Sequence, residues 1–177
     1  MLFDPNVKSS GVVLSPGYMA CSAIPNVTNT SVNSIASHFY LFKPAASTRR
    51  VEIVRIHITF AGGTGGSYKL SANYITAENA VPGGTVTPTL AKDRGDPSSD
   101  LITCSAATGA PTRITGDLLT WGVDGSDYGQ IVWEASPWEK PFILRPNLAE
   151  GIEIKSSVLT TILTAPTVAV SIDWMEV

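Results

Sequence analysis

Apolar and polar residues alternate with a period of two along much of the chain, and no stretch keeps a helical period for more than about 12 residues. Six segments carry the pattern: "SHFYLFK" (37–43), "RVEIVRIHITF" (50–60), "SYKLSANYIT" (67–76), "QIVWEA" (130–135), "GIEIKSSV" (151–158) and "TVAVSIDWMEV" (167–177). They are rich in Val, Ile, Thr and aromatic residues and bounded by Gly, Pro, Asn or Ser, which predicts strands. In the last of them Val168, Val170, Ile172 and Trp174 share one face and predict a core contact, while Thr167, Ala169, Ser171 and Asp173 share the other. Within 50–60, Val54, Ile56, Ile58 and Phe60 share a face, but Val51 and Ile53 sit on the opposite one, so that second face is expected to be buried at one end only.

The breaks between segments predict turns. "AGGTGG" (61–66) supplies glycines for positive φ and predicts a hairpin with the strand that follows. Further hairpins are expected around Val123-Asp124-Gly125-Ser126 and around Asn147–Gly151, the latter after a short strand "FIL" that Pro146 stops for want of an N–H. Residues 77–114 form a long stretch rich in Gly, Pro, Ser and Asp, with short strands expected near 85–89 and 101–105. Loops of that length usually bind, pair or assemble.

Unequal connections and roughly eight or nine strands predict an all-β protein: a β-sandwich with jelly-roll or Greek-key winding and an extended N-terminal arm. The arm is placed at 1–34 and the sandwich at 35–177. Pro5, Pro16 and Pro25 punctuate the arm, and Leu2, Phe3, Val12, Val13, Leu14 and Tyr18 make it too apolar for a solvated tail, so these six are the candidate protein–protein contacts. No internal repeat is visible.

Composition narrows the function. Of the 177 residues, 44% are hydrophobic and only 15% charged, a low-charge surface that favours assembly with partners. A net charge of −3 and the absence of a Lys/Arg cluster argue against nucleic acid. Neither an export signal nor an apolar run long enough for a membrane helix is evident, so neither export nor a membrane is expected. Cys21 and Cys104 are too few for a disulfide scaffold, and their pairing cannot be read from the sequence.

Candidate chemistry is sparse. His38 and His57 both lie in expected strands and lack metal-ligand spacing, and Asp93, Asp96 and Asp100 cluster without an EF-hand pattern. No nucleophile elbow occurs. Glu134 and Glu139 are the nearest pair for glycoside hydrolysis, and Trp121, Trp133, Trp138 and Tyr128 are candidates for stacking a sugar. No cofactor, metal or small-molecule substrate is implied.

Three stretches, "YITAENAVPGGTVTPTLAKD" (74–93), "WEASPWEKPFILRPNLAEGIEI" (133–154) and "VAVSIDWMEV" (168–177), together resemble small jelly-roll structural proteins of tailed bacteriophages, above all head decoration or cement proteins. The shared pattern is an apolar strand, an Arg-Pro turn closing on an acidic residue and glycine, and a last strand with an acidic-aromatic tail. Here these are Phe142–Leu144, Arg145-Pro146, Glu150-Gly151 and Asp173-Trp174-Met175-Glu176. The turn "PNLAEG" departs from the usual "PGEG" by two added residues. The resemblance implies a non-enzymatic virion protein that binds and stabilises the major capsid protein lattice as a homotrimer, assembled in the host cytoplasm. A carbohydrate- or receptor-binding module of a phage fibre or tail is the alternative.

Overall fold

A computed structural model describes residues 17–21, 32, 35–76, 85–86, 89–92, 95, 97–105, 111–136 and 139–177. These residues form twelve strands and no helix: β1 (Gly17–Cys21), β2 (Ile35–Lys43), β3 (Val51–Ala61), β4 (Ser67–Ile75), β5 (Thr85–Val86), β6 (Leu90–Ala91), β7 (Ile102–Ser105), β8 (Leu119–Asp124), β9 (Gly129–Glu134), β10 (Phe142–Leu144), β11 (Glu150–Thr160) and β12 (Thr167–Glu176). The strands make two antiparallel sheets packed as a β-sandwich. Sheet A runs β10-β3-β12-β1-β6, with β9 sharing the β3 edge with β10; sheet B runs β5-β7-β2-β11-β4-β8.

The long strands pair in reverse order of sequence: β1 with β12, β2 with β11, β3 with β10 and β9, and β4 with β8. The chain therefore crosses between sheets at most of its connections, the exceptions being β4 to β5, β7 to β8 and β9 to β10. This corrects the three expected hairpins. β3 and β4 lie in different sheets, as do β8 and β9, and β10 and β11. The glycines and the left-handed Asn147 (φ 58°) turn the chain as expected, but each turn arches over the core instead of joining neighbours. Turn chemistry sets the reversal, whereas burial of each strand's apolar face decides which sheet it joins.

The core between the sheets contains Val168, Val170, Ile172 and Trp174 of β12, all on the expected face. In β3, Val51, Ile53, Ile56 and Ile58 are all fully buried, which strict alternation forbids. The ladder with β12 slips between Asp173 and Trp174, opposite Arg55 and Ile53, and leaves Val54 as an extra residue. That bulge re-phases the strand, so both apolar sets face inward. A second slip, between Ile154 and Lys155 of β11, leaves His38 as the extra residue of β2.

One boundary moves. Residues 17–21, placed in the arm by sequence reading, form β1, which lies inside sheet A between β12 and β6. Tyr18 and Ala20 are buried in the core.

Candidate interaction surface

Three arches meet at one end of the sandwich: 61–66, 124–129 and 160–167. Backbone bonds lock them together. Gly63 N–H donates to Gly125 O (2.8 Å), Gly125 N–H to Gly66 O (2.8 Å), Thr64 N–H to Thr164 O (3.1 Å) and Leu163 N–H to Thr64 O (2.8 Å). Thr64 and Thr164 are also joined through their hydroxyls at 2.8 Å. The contact is so close that a Cβ on Gly63 would stand 2.0 Å from Thr164 O, and one on Gly125 would stand 2.2 Å from Gly65 O. Only glycine allows these backbones to approach.

On this hydrogen-bonded platform two large apolar side chains face solvent, Tyr128 (79% exposed) and Leu163 (78%), and Leu159 (52%), near the end of β11, is exposed just before the third arch. The Tyr128 ring lies along the Gly62 backbone, where a Cβ would come within 2.6 Å of it, and Leu163 covers Gly65 at 3.3 Å by the same measure. The glycines thus seat the apolar side chains as well as shaping the turns. Asp124 and Asp127 fold the neighbouring turn, Asp124 Oδ1 accepting from Ser126 N–H (3.0 Å) and Oγ (2.7 Å), and Asp127 Oδ2 from Asp124 N–H (3.3 Å).

Elsewhere among the described residues the carboxylates are spent inside the subunit. Every carboxylate among the described residues has a partner: Glu52 with Arg50, Asp117 with Lys69 and Lys155, Glu134 with Arg55, Glu150 with Arg145, Glu153 with Arg113, Asp173 with Lys92, and Glu176 with Arg49. Asp100 accepts from Ser47 Oγ (3.0 Å) and Glu139 from Trp133 Nε1 (2.6 Å). For Asp117, burial raises the carboxyl pKa, but hydrogen bonds from Lys69, Asn73 and Lys155 outweigh it and hold the group down at about 2.

The sequence-derived site residues scatter. Leu2, Phe3, Val12, Val13 and Leu14 lie outside the described residues, as do Trp138, Asp93 and Asp96. Tyr18 is 1% exposed, stacks on Trp174 with ring centroids 5.9 Å apart, and donates its hydroxyl to Pro97 O at 2.7 Å. It is therefore a core residue and not a surface contact, because β1 turns it inward. Glu134 stands 3.1 Å from Arg55 Nε, though without a hydrogen-bonding angle, and Trp133 is buried against Phe142 at 4.3 Å. Trp133 is thus spent in packing and Trp121 is half-buried against the core, which leaves Tyr128 as the exposed ring of the proposed stacking set among the described residues. His38 is buried and His57 pairs with Gln130 (3.1 Å). Cys21 and Cys104 belong to strands of different sheets.

The motif residues of the phage resemblance also have inward roles. Glu150 closes the "RPNLAEG" arch by accepting from the Arg145 guanidinium and from its N–H (2.8 Å). Asn147 N–H donates to Ser47 O (2.9 Å), and Lys43 Nζ reaches Leu148 O (2.8 Å). Glu176 gathers Arg49 Nη1 (2.6 Å), Ser99 Oγ (2.5 Å) and Trp174 Nε1 (3.3 Å). At that same end, Tyr74, Ile75, Ile114, Ile143, Arg145 and Glu150 line a recess of about 350 Å³.

Leu159 and Leu163 are not among the sequence-derived candidates. The available signal was the run "VLTTILTAP", in which apolar residues outnumber what a turn needs. The chain matches no protein-family model, no curated protein and no solved structure.

Proposed function

We propose that the protein is a structural subunit that works by contact, with the arch platform as its docking face and the surface of a bacteriophage capsid as its setting. The observation that carries the reading is the pairing of a hydrogen-bonded, glycine-locked base with exposed Tyr128 and Leu163, and with Leu159 just before the third arch. Exposed apolar side chains on immobile backbone lose little entropy on association, so they are well placed to anchor an interface. The partnered carboxylates support the same reading, since charged side chains spent on internal bonds brace a subunit instead of acting on a substrate. The reverse-order strand pairing is what a rolled double ribbon produces, and we take the winding as a jelly roll. The capsid setting comes from the resemblance, whose motif residues Arg145, Glu150, Trp174 and Glu176 hold the fold together and leave the partner to be met by other surfaces.

The test is binding of purified protein to purified heads, measured by co-sedimentation. Saturable binding that Tyr128→Asp with Leu163→Asp abolishes supports the reading; no association, or binding that the double substitution leaves unchanged, counts against it. The second reading, a glycan-binding module, draws on the exposed Tyr128 ring, which could stack on a sugar face. Retention on a glycan array that is lost in Tyr128→Ala would favour it.

A further inference from the structure

The β3 edge of sheet A is finished by β9, and β9 has no second neighbour among the described residues. Ala135 N–H donates across to Val54 O at 2.8 Å. Alternation then turns the backbone groups of Trp133 and Ile131 toward β3, and those of Gln130, Val132 and Glu134 away from it. The strand "GQIVWE" lacks the strongest guards of a free edge, with no Lys, no Pro and an unbroken ladder with β3, and its one charge, Glu134, is paired with Arg55. Val132 is 45% exposed at its middle.

We infer that two copies of this chain pair through β9, antiparallel about a twofold axis at Val132. The register follows from which groups point outward. Only outward-facing residues can exchange hydrogen bonds, and centring on Val132 matches all of them: Val132 with Val132 of the partner subunit, Gln130 with the partner's Glu134, and Glu134 with the partner's Gln130. Each such pair exchanges two bonds, about six in all. Sliding by two residues either way leaves a donor and an acceptor unmatched.

Side chains agree with that register. On the outer face an amide meets a carboxylate and valine meets valine, so no like charges are opposed. On the inner face Ile131 comes opposite Trp133 of the partner subunit, two apolar residues already turned toward the core. The inference concerns the isolated chain and does not rest on the capsid reading. It gives a twofold assembly where the phage resemblance implies a threefold one.

Val132→Pro is a selective probe, because the lost N–H faces outward and proline is tolerated on an edge strand in that orientation. Val132→Lys is a second, placing two ammonium groups together at the axis. By sedimentation equilibrium of the full chain on the order of 10 µM, the native protein is expected to be a dimer, and both variants should raise its dissociation constant on the order of 100-fold while circular dichroism stays native. Hydrogen exchange supplies the residue-level readout: the amides of Gln130, Val132 and Glu134 should be slow in the native protein and fast in Val132→Lys, while Ile131 and Trp133 stay slow in both. A native monomer or trimer would overturn the inference. So would a dimer that both variants leave intact, which would be held at another edge such as β8.

Discussion

Arg113 grips Glu153 with two parallel hydrogen bonds, Nε to Oε2 at 2.6 Å and Nη2 to Oε1 at 2.7 Å, on the outward side of sheet B. The Glu153 carboxylate has no solvent exposure, whereas the arginine keeps 22%. Ser37 adds a third donor. The pair ties the 111–118 segment to the centre of the sheet, where the Ile75–Arg113 bridge continues the β4 edge. Arg113→Ala should cost roughly 3 to 5 kcal/mol of stability because it leaves a buried charge unpaired. Replacing both residues, with Glu153→Gln added, should restore part of the loss in urea unfolding; equal losses in the single and double variants would refute the explanation.

Tyr18 offers a contrast between packing and docking. Its ring fills the space against Trp174, so Tyr18→Ala should destabilise the fold by roughly 3 to 5 kcal/mol, comparable to other aromatic truncations in cores. Tyr18→Phe keeps the ring and gives up the bond to Pro97 O, a cost of about 1 kcal/mol. Thermal unfolding separates the two. A Tyr18→Ala protein of native stability that failed only in assembly would restore the outward role expected from sequence.

Glycines of the arches should answer to the space around them. Gly63→Ala drives a Cβ to 2.0 Å from the Thr164 carbonyl, and Gly66→Ala combines a positive φ of 70° with a clash at 2.3 Å on Thr161 O. Each should cost more than ~1 kcal/mol and, by parting the arches, weaken the proposed docking at Tyr128 and Leu163. Gly122, in β8, has nothing within 4 Å of its would-be Cβ. Gly122→Ala should leave stability unchanged or raise it slightly, and differential scanning calorimetry of the three variants would show the split.

His38 predicts an acid-sensitive window. Burial lowers its pKa from 6.5 to about 4, so the unfolded chain takes up a proton before the folded one does. Its contribution is fully present above pH 6.5 and is lost as the pH falls toward 4. Since each pKa unit is worth about 1.4 kcal/mol, the loss is on the order of 3 kcal/mol. Urea midpoints between pH 7 and 4 should fall in the native protein and flatten in a His38→Gln variant. Asp117 adds a second, more acidic loss between its ordinary 3.8 and about 2.

Much of this architecture is legible in the sequence because β12 and β11 carry their apolar residues in simple alternation. β3 is less legible, since the bulge at Val54 shifts the phase midway and makes one buried strand look like two half-buried faces. The short β1, "GYMAC", has only Tyr18 and Ala20 facing inward and follows a proline-punctuated stretch, so its sequence reads as arm. The arches read as hairpins because local turn residues do not encode the sheet to which the next strand belongs. At the platform, Tyr128 stands out as an aromatic residue, but its presence on the same platform as Leu163 depends on three connections separated by dozens of residues. No local period brings those together.

Whether the glycine-locked platform docks a structural subunit onto its particle can be read by quantitative mass spectrometry of purified phage particles. A docking platform should give a stoichiometric copy number per capsid that collapses when Tyr128→Asp and Leu163→Asp are introduced together, with the soluble protein still folded. Particles that lack the protein, or that carry the doubly substituted form at native occupancy, would contradict it.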